Sequence, residues 1–155
     1  MKVIVESAID VRASPEKVWG LLYNAKLPLS APCCFKIGVP TPDRCTLVSE
    51  RGAVGAQRRC QTKEGEINQR ITEWDPPRRL SFVMESNTLG LEKHISAMSD
   101  TFTIQPADAG CRLTRRTTIE TKGFLAFPKS LLFRVSMGHI HRFVMRNFKA
   151  LGEAP

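Results

Sequence analysis

Proton transfer near neutral pH most often falls to histidine, and this sequence has three, His94, His139 and His141. On a helix, His139 and His141 stand about 200° apart, so they cannot share one metal ion, and no HExxH pattern is present. A nucleophilic serine, cysteine or threonine needs a histidine that a carboxylate orients. No GxSxG, phosphate-binding or dinucleotide-binding glycine string accompanies these residues. Metal catalysis, elbow-type acyl transfer and nucleotide chemistry therefore have no support, and no metal site, catalytic set or cofactor is expected. The cysteines are Cys33, Cys34, Cys45, Cys60 and Cys111, without a CxxC. This odd, irregular set suits neither zinc nor a disulfide framework, and free buried thiols are expected. Cys33 and Cys34 are adjacent, which fits a redox or soft-metal pair, or simply two small residues in a loop.

The remaining polar candidates are single side chains in apolar company. His94 follows the turn NTLGLEK at the start of a strand. Facing inward, it would be desolvated and neutral; facing outward, it would be an exposed neighbour of Lys93. Gln69 shares a strand face with Ile67 and Ile71, where an amide either orients a ligand or is satisfied within the core. Arg58 and Arg59 point to opposite faces, so one can turn inward and pair with a ligand carboxylate or a neighbouring acid. Tyr23 is the only tyrosine, and Trp19 and Trp74 the only tryptophans.

The elements that must position these groups are legible from periodicity. Residues 3–11 alternate as a strand, with Val3, Val5, Ile9 and Val11 on one face. Ser14, Pro15 and Glu16 then mark a helix start, with Val18, Trp19, Leu21 and Leu22 on its apolar side and an end near Asn24. The prolines at 28, 32, 40 and 42 predict a loop or broken helix over residues 25–44. From Cys45 onward, turn signals at regular spacing predict a meandering antiparallel sheet. One face carries Leu80, Phe82 and Met84, and Phe102 with Ile104. That apolar face must be covered. The cover is a long amphipathic helix in the last 25 residues, whose stripe runs Phe133, Met137, Ile140, Val144, Phe148, Leu151. Before it, GFLAFP (residues 123–128) predicts a hinge or lid whose Phe124 and Phe127 touch what lies beneath.

Length and charge bound the function. A chain of 155 residues, 42% apolar and 25% charged, is expected to form one domain over residues 1–155 with a self-sufficient core. The longest stretch free of charge, Leu27 to Phe35, is too short to cross a bilayer, and Glu6 interrupts any signal-peptide core. A cytoplasmic location is expected. The net charge of +8 is concentrated late in the chain. Residues 112–155 hold Arg112, Arg115, Arg116, Lys122, Lys129, Arg134, Arg142, Arg146 and Lys149 against Glu120 and Glu153. Such a face is either solvated or attracts an anionic membrane or an acidic partner. Nucleic acid is not expected, because aromatic residues for base stacking are not interleaved.

Several strings span nearly the whole chain: ESAIDVRASPEKVWGLL, GAVGAQRRCQTKEGEINQRITEWDPPRRLSFVM, GCRLTRRTTIE and HRFVMRNFKALGE. With the element order, these resemble the START and polyketide cyclase-like superfamily, also called SRPBCC. The resemblance implies an α+β helix-grip fold. A curved antiparallel sheet of about six or seven strands wraps a long C-terminal helix, with a short helix pair after the first strand. It also implies an apolar cavity between sheet and helix that takes a hydrophobic or amphipathic small molecule, lipid- or polyketide-like. The residues expected to touch such a ligand are Gln69, Phe82, Met84, His94, Phe102, Phe133, Met137 and Ile140. One alternative is a cyclase or dehydratase in which His94, Gln69 or an inward arginine guides proton transfer. Another is docking of the basic C-terminal face to an anionic membrane or an acidic partner. Oligomeric state has no signature in the sequence.

Overall fold

A computed structural model describes residues 1–29 and 41–155. The elements are β1 (Lys2–Val11), α1 (Pro15–Tyr23), β2 (Asn24–Lys26), β3 (Pro42–Leu47), β4 (Gln57–Thr62), β5 (Glu66–Asp75), β6 (Arg79–Asn87), β7 (Ile95–Ala107), β8 (Gly110–Thr121) and α2 (Ala126–Glu153). A 3-10 turn at Leu91–Lys93 precedes β7. Helix α1 begins as its sequence predicts: the Lys17 amide donates to Ser14 Oγ, Pro15 opens the first turn, and Val18, Trp19 and Leu22 are buried.

All eight strands form one antiparallel sheet in the order β1-β8-β7-β6-β5-β4-β3-β2. The β3–β8 run is a meander, and the first two strands flank it, β1 beside β8 and β2 beside β3. Register shifts at Asn68/Gln69, Ile71/Glu73 and Ile95/Ala97 bend it into an incurved half-barrel. In β8, Cys111, Leu113, Arg115, Thr117, Ile119 and Thr121 are buried in strict alternation.

Helix α2 lies in the concave face. Its second half sits in the main core with Val11, Trp19, Leu22, Ile71, Phe102 and Leu113, burying Phe143, Val144, Met145 and Phe148. A smaller cluster of Val3, Ile95, Ile119 and Met137 packs beneath its first half.

Three features differ from expectation, and a fourth expectation falls outside the described residues. The sheet has eight strands rather than six or seven, because β2 and the start of β3 come from the proline-rich stretch. Pro42 is tolerated there as the first residue of its strand. The second member of the expected helix pair would fall between β2 and β3, where residues 30–40, including Cys33 and Cys34, lie outside the described residues. Phe124 and Phe127 are exposed rather than buried over a site. Phe124 is fully exposed and Phe127 is 70% exposed, because Ala126–Pro128 are the first turn of α2 rather than a lid. Cys45 and Cys60 are not free thiols: they face each other across β3 and β4, 4.1 Å apart at Cα, and form a disulfide. Cys111 is buried and free, as expected. Among the described residues no helix is long and apolar enough to cross a membrane.

Candidate functional site

Between the concave sheet and α2 lies a cavity of about 470 Å³. Its walls are mostly apolar. Phe82 and Phe102 come from neighbouring strands β6 and β7, and Phe133, Met137, Ile140, Val144 and Phe148 from the stripe of α2. The Phe82 and Phe102 rings lie 6.1 Å apart, tilted by 37°, and Phe148 meets Phe102 edge-on at 5.9 Å.

Seven of the eight residues expected to touch a ligand border this cavity: Gln69, Phe82, His94, Phe102, Phe133, Met137 and Ile140. Met84 does not. It is partly buried against the cluster of Ile95, Ile119 and Met137, next to the bulge that pairs Gln69 with Met84 and Asn68 with Ser86. His94 is exposed at the cavity rim, beside the 3-10 turn.

Two buried arginines interrupt the apolar wall. Arg58, on β4, points inward, whereas Arg59 points out and bridges Glu66. The Arg58 guanidinium lies 4.5 Å above the Phe82 ring. Its Nε and Nη2 donate to the Leu22 carbonyl at 3.2 and 2.9 Å, and its Nη1 donates to Gln69 Oε1 and to Cys60 Sγ. Because a guanidinium only donates, Gln69 must turn its carbonyl oxygen toward Arg58 and its amide nitrogen elsewhere. Burial lowers Arg58 from 12.5 to about 9; Asp100 opposes the shift and Arg115 adds to it. The side chain remains a cation at neutral pH.

Arg115, on β8, has a carboxylate partner. Its Nε and Nη2 donate to the two oxygens of Asp100 at 2.9 and 3.2 Å. Burial alone would raise Asp100, but the Arg115 charge, the paired hydrogen bonds and the Thr117 hydroxyl outweigh it and hold the carboxyl below its usual range.

Beyond Asp100 the network fixes a histidine tautomer. Thr117 spends its single hydroxyl proton on Asp100, so at 2.7 Å it must accept from His141 Nε2. Nδ1 is then the acceptor for Ser7 Oγ at 3.1 Å. Desolvation lowers His141 from 6.5 to about 3, with Arg115 adding to the shift and Asp100 opposing it. This is the buried, neutral imidazole considered for His94, placed instead on α2 between the helix and β1 and β8. Sequence reasoning missed it although a signal existed: at 100° per residue His141 falls about 20° from Phe148 on the helix. Asp100 and Thr117 were legible in the same way, by period two from Phe102 and Ile119.

The family model for polyketide cyclase / dehydrase and lipid transport matches residues 2–153. The chain belongs to that family. Its fold is shared with solved structures of low identity. A START superfamily protein from Mycobacterium smegmatis is 14% identical with a TM-score of 0.68, over 97% of both chains. The major latex-like protein 151 of Panax ginseng is 14% identical with a TM-score of 0.67, over 100% of this chain and 99% of that one. The di-domain ARO/CYC StfQ of the steffimycin biosynthetic pathway is 16% identical with a TM-score of 0.72, over 99% of this chain and 51% of that one. No curated protein matches in sequence.

Proposed function

We propose that this protein binds a hydrophobic or amphipathic small molecule, lipid- or polyketide-like, in the cavity beneath α2, acting as a single helix-grip domain over residues 1–155. The observation that carries this reading is the cavity itself, about 470 Å³ with walls of phenylalanine, methionine and aliphatic side chains. Gln69, Phe82, Phe102, Phe133, Met137 and Ile140 would form the contact surface, with His94 at the rim.

Carrying is favoured over converting by the titratable groups at the cavity. Arg58 is a fixed cation, Asp100 and Arg115 are bound to each other, and His94 and Glu64 stand exposed. A cyclase or dehydratase would have to work with these groups. Native mass spectrometry of the purified protein and titration with a fluorescent fatty acid test the reading. Met137→Trp, which fills the cavity from α2, should weaken binding about tenfold or more. Unchanged affinity in that variant, or no binding by the parent protein, would overturn the proposal.

A second reading concerns the surface at the cavity mouth. Phe124, Leu125, Phe127, Leu131, Leu132 and Val135 are all more than half exposed, and Leu132 also borders the cavity. Lys122, Lys129 and Arg134 accompany them, and residues 121–152 contain no acid. Clustered apolar side chains among cations suit an anionic lipid surface. Sedimentation with vesicles containing phosphatidylserine should pull the protein down at low salt. Phe124→Ser with Phe127→Ser should abolish this. Equal sedimentation of both proteins would refute the assignment.

A further inference from the structure

Arg58 is a buried cation with no anion of its own. Only 4% of it is exposed, and every group it donates to is neutral: the Leu22 carbonyl, the Gln69 amide oxygen and the Cys60 sulfur. No described carboxylate lies within ion-pairing distance, and residues 30–40 contain neither aspartate nor glutamate. The buried carboxylate on the cavity wall, Asp100, is committed to two bonds from Arg115 and one from Thr117. Arg58, Arg115 and Asp100 therefore leave one net positive charge in the buried part of the wall; Glu64, the other carboxylate lining the cavity, is exposed to solvent and forms no ion pair with Arg58.

A lone charge in a buried, largely apolar wall is costly unless something answers it, and charged groups held this way are characteristic of functional sites. Of the five guanidinium N–H groups, the four bonds described use four, one of them on a weak sulfur acceptor, and an N–H of Nη2 remains. Next to it, Gln69 gives its oxygen to Arg58, so its amide N–H groups are left as donors at the cavity wall. Cation and amide thus lie together at one point of the chamber, with the cation over the Phe82 ring.

We infer that the cavity is specific for an amphiphile bearing a carboxylate, which docks on Arg58 and the Gln69 amide while its apolar body lies along Phe82, Phe102 and Met137. This rests on the cavity being a ligand site, and it adds what that ligand must carry. A neutral lipid would leave the Arg58 charge unanswered; a carboxylate neutralises it and takes the free donors in one contact. A cationic group is disfavoured at this buried point, since it would meet Arg58 and find Asp100 already occupied.

Paired titrations with cis-parinaric acid and its methyl ester test this directly, because the two probes share a chain and differ in charge. The acid should bind the parent protein about tenfold or more tightly than the ester, the scale of a charge-assisted contact. Arg58→Met should erase that preference, so that acid and ester bind with equal affinity, and should fold, since it removes an unpaired buried charge. Arg58→Lys should retain part of the preference. Equal binding of acid and ester by the parent protein would overturn the carboxylate subsite and leave the cavity reading intact. Failure of both probes to bind would overturn the two together. Should Arg58→Met not fold, the acid-against-ester comparison in the parent protein still decides.

Discussion

Mild acid should destabilise this protein through one residue, His141. The folded chain holds its imidazole neutral down to about pH 3, whereas the unfolded chain protonates it near 6.5. Between those values the unfolded state binds a proton that the folded state refuses, so stability falls as pH falls through 6.5. At pH 5, the 1.5 units below 6.5 are worth about 2 kcal/mol at roughly 1.4 kcal/mol per unit. For a chain of this length that is a drop in Tm of about 4–8 °C between pH 7.5 and pH 5. The lowered carboxyls, Asp100 among them, do not contribute in this window, because their losses begin only where ordinary carboxylates start to protonate. The assay is thermal or urea unfolding across pH 5–7.5 for the parent protein and His141→Gln. Glutamine can still donate to Thr117 and accept from Ser7 but does not titrate. The variant should start less stable and then stay nearly flat, so that the two curves converge as pH falls. Parallel curves would refute the reasoning, since the acid sensitivity would then belong to other groups.

Two further outcomes follow from buried charge and backbone geometry. Asp100→Asn strips the anion from buried Arg115 and should cost about 3–5 kcal/mol in urea unfolding. Arg12→Ala, which breaks the exposed Glu153 bridge, should cost less than about 1 kcal/mol, and comparable costs would refute the distinction. Gly110 sits at φ +145° with room for no Cβ, which would lie 2.2 Å from the Val11 carbonyl; Gly110→Ala should cost about 2 kcal/mol or more. Gly138, inside α2 with open space around it, should gain up to about 1 kcal/mol as alanine, and thermal melts of the two variants check the contrast.

The fold was legible because its two periodicities are strong. The α2 stripe from Phe133 to Leu151 and the alternation of β6 to β8 each name the face that must be buried. What period alone could not deliver was contact across the sheet. Cys45 and Cys60 look unrelated in sequence and become partners only through the β3–β4 register. His94 and His141 show the same limit. A turn beside His94 says nothing about which way the ring points, whereas the helical position of His141 next to Phe148 does. Arg58 was open between inward and outward, and an alternating strand with arginine at both 58 and 59 had to bury one of them. That the buried one found no acid could be known only once its neighbours, Leu22, Cys60 and Gln69, were in place.

These ties also explain why the two layers leave a chamber. Helix α2 is fastened near its start, where Ser130 Oγ meets Thr121 Oγ1 at 2.9 Å. It is fastened again at its middle, where His141 bridges Ser7 and Thr117, and near its end, where Lys149 donates to the Asp10 carbonyl and Glu153 accepts from the Arg12 amide. Between Ser130 and His141 the helix runs about 16 Å at 1.5 Å per residue. Along it, Phe133, Ser136, Met137 and Ile140 face the cavity. The sheet beneath is bent by its bulges, so a straight helix held at both ends of that interval cannot follow it. Short polar contacts set the height of the helix above the strands, and long side chains only partly fill the space left below. Cutting the His141 tie would therefore act on the chamber as well as on stability.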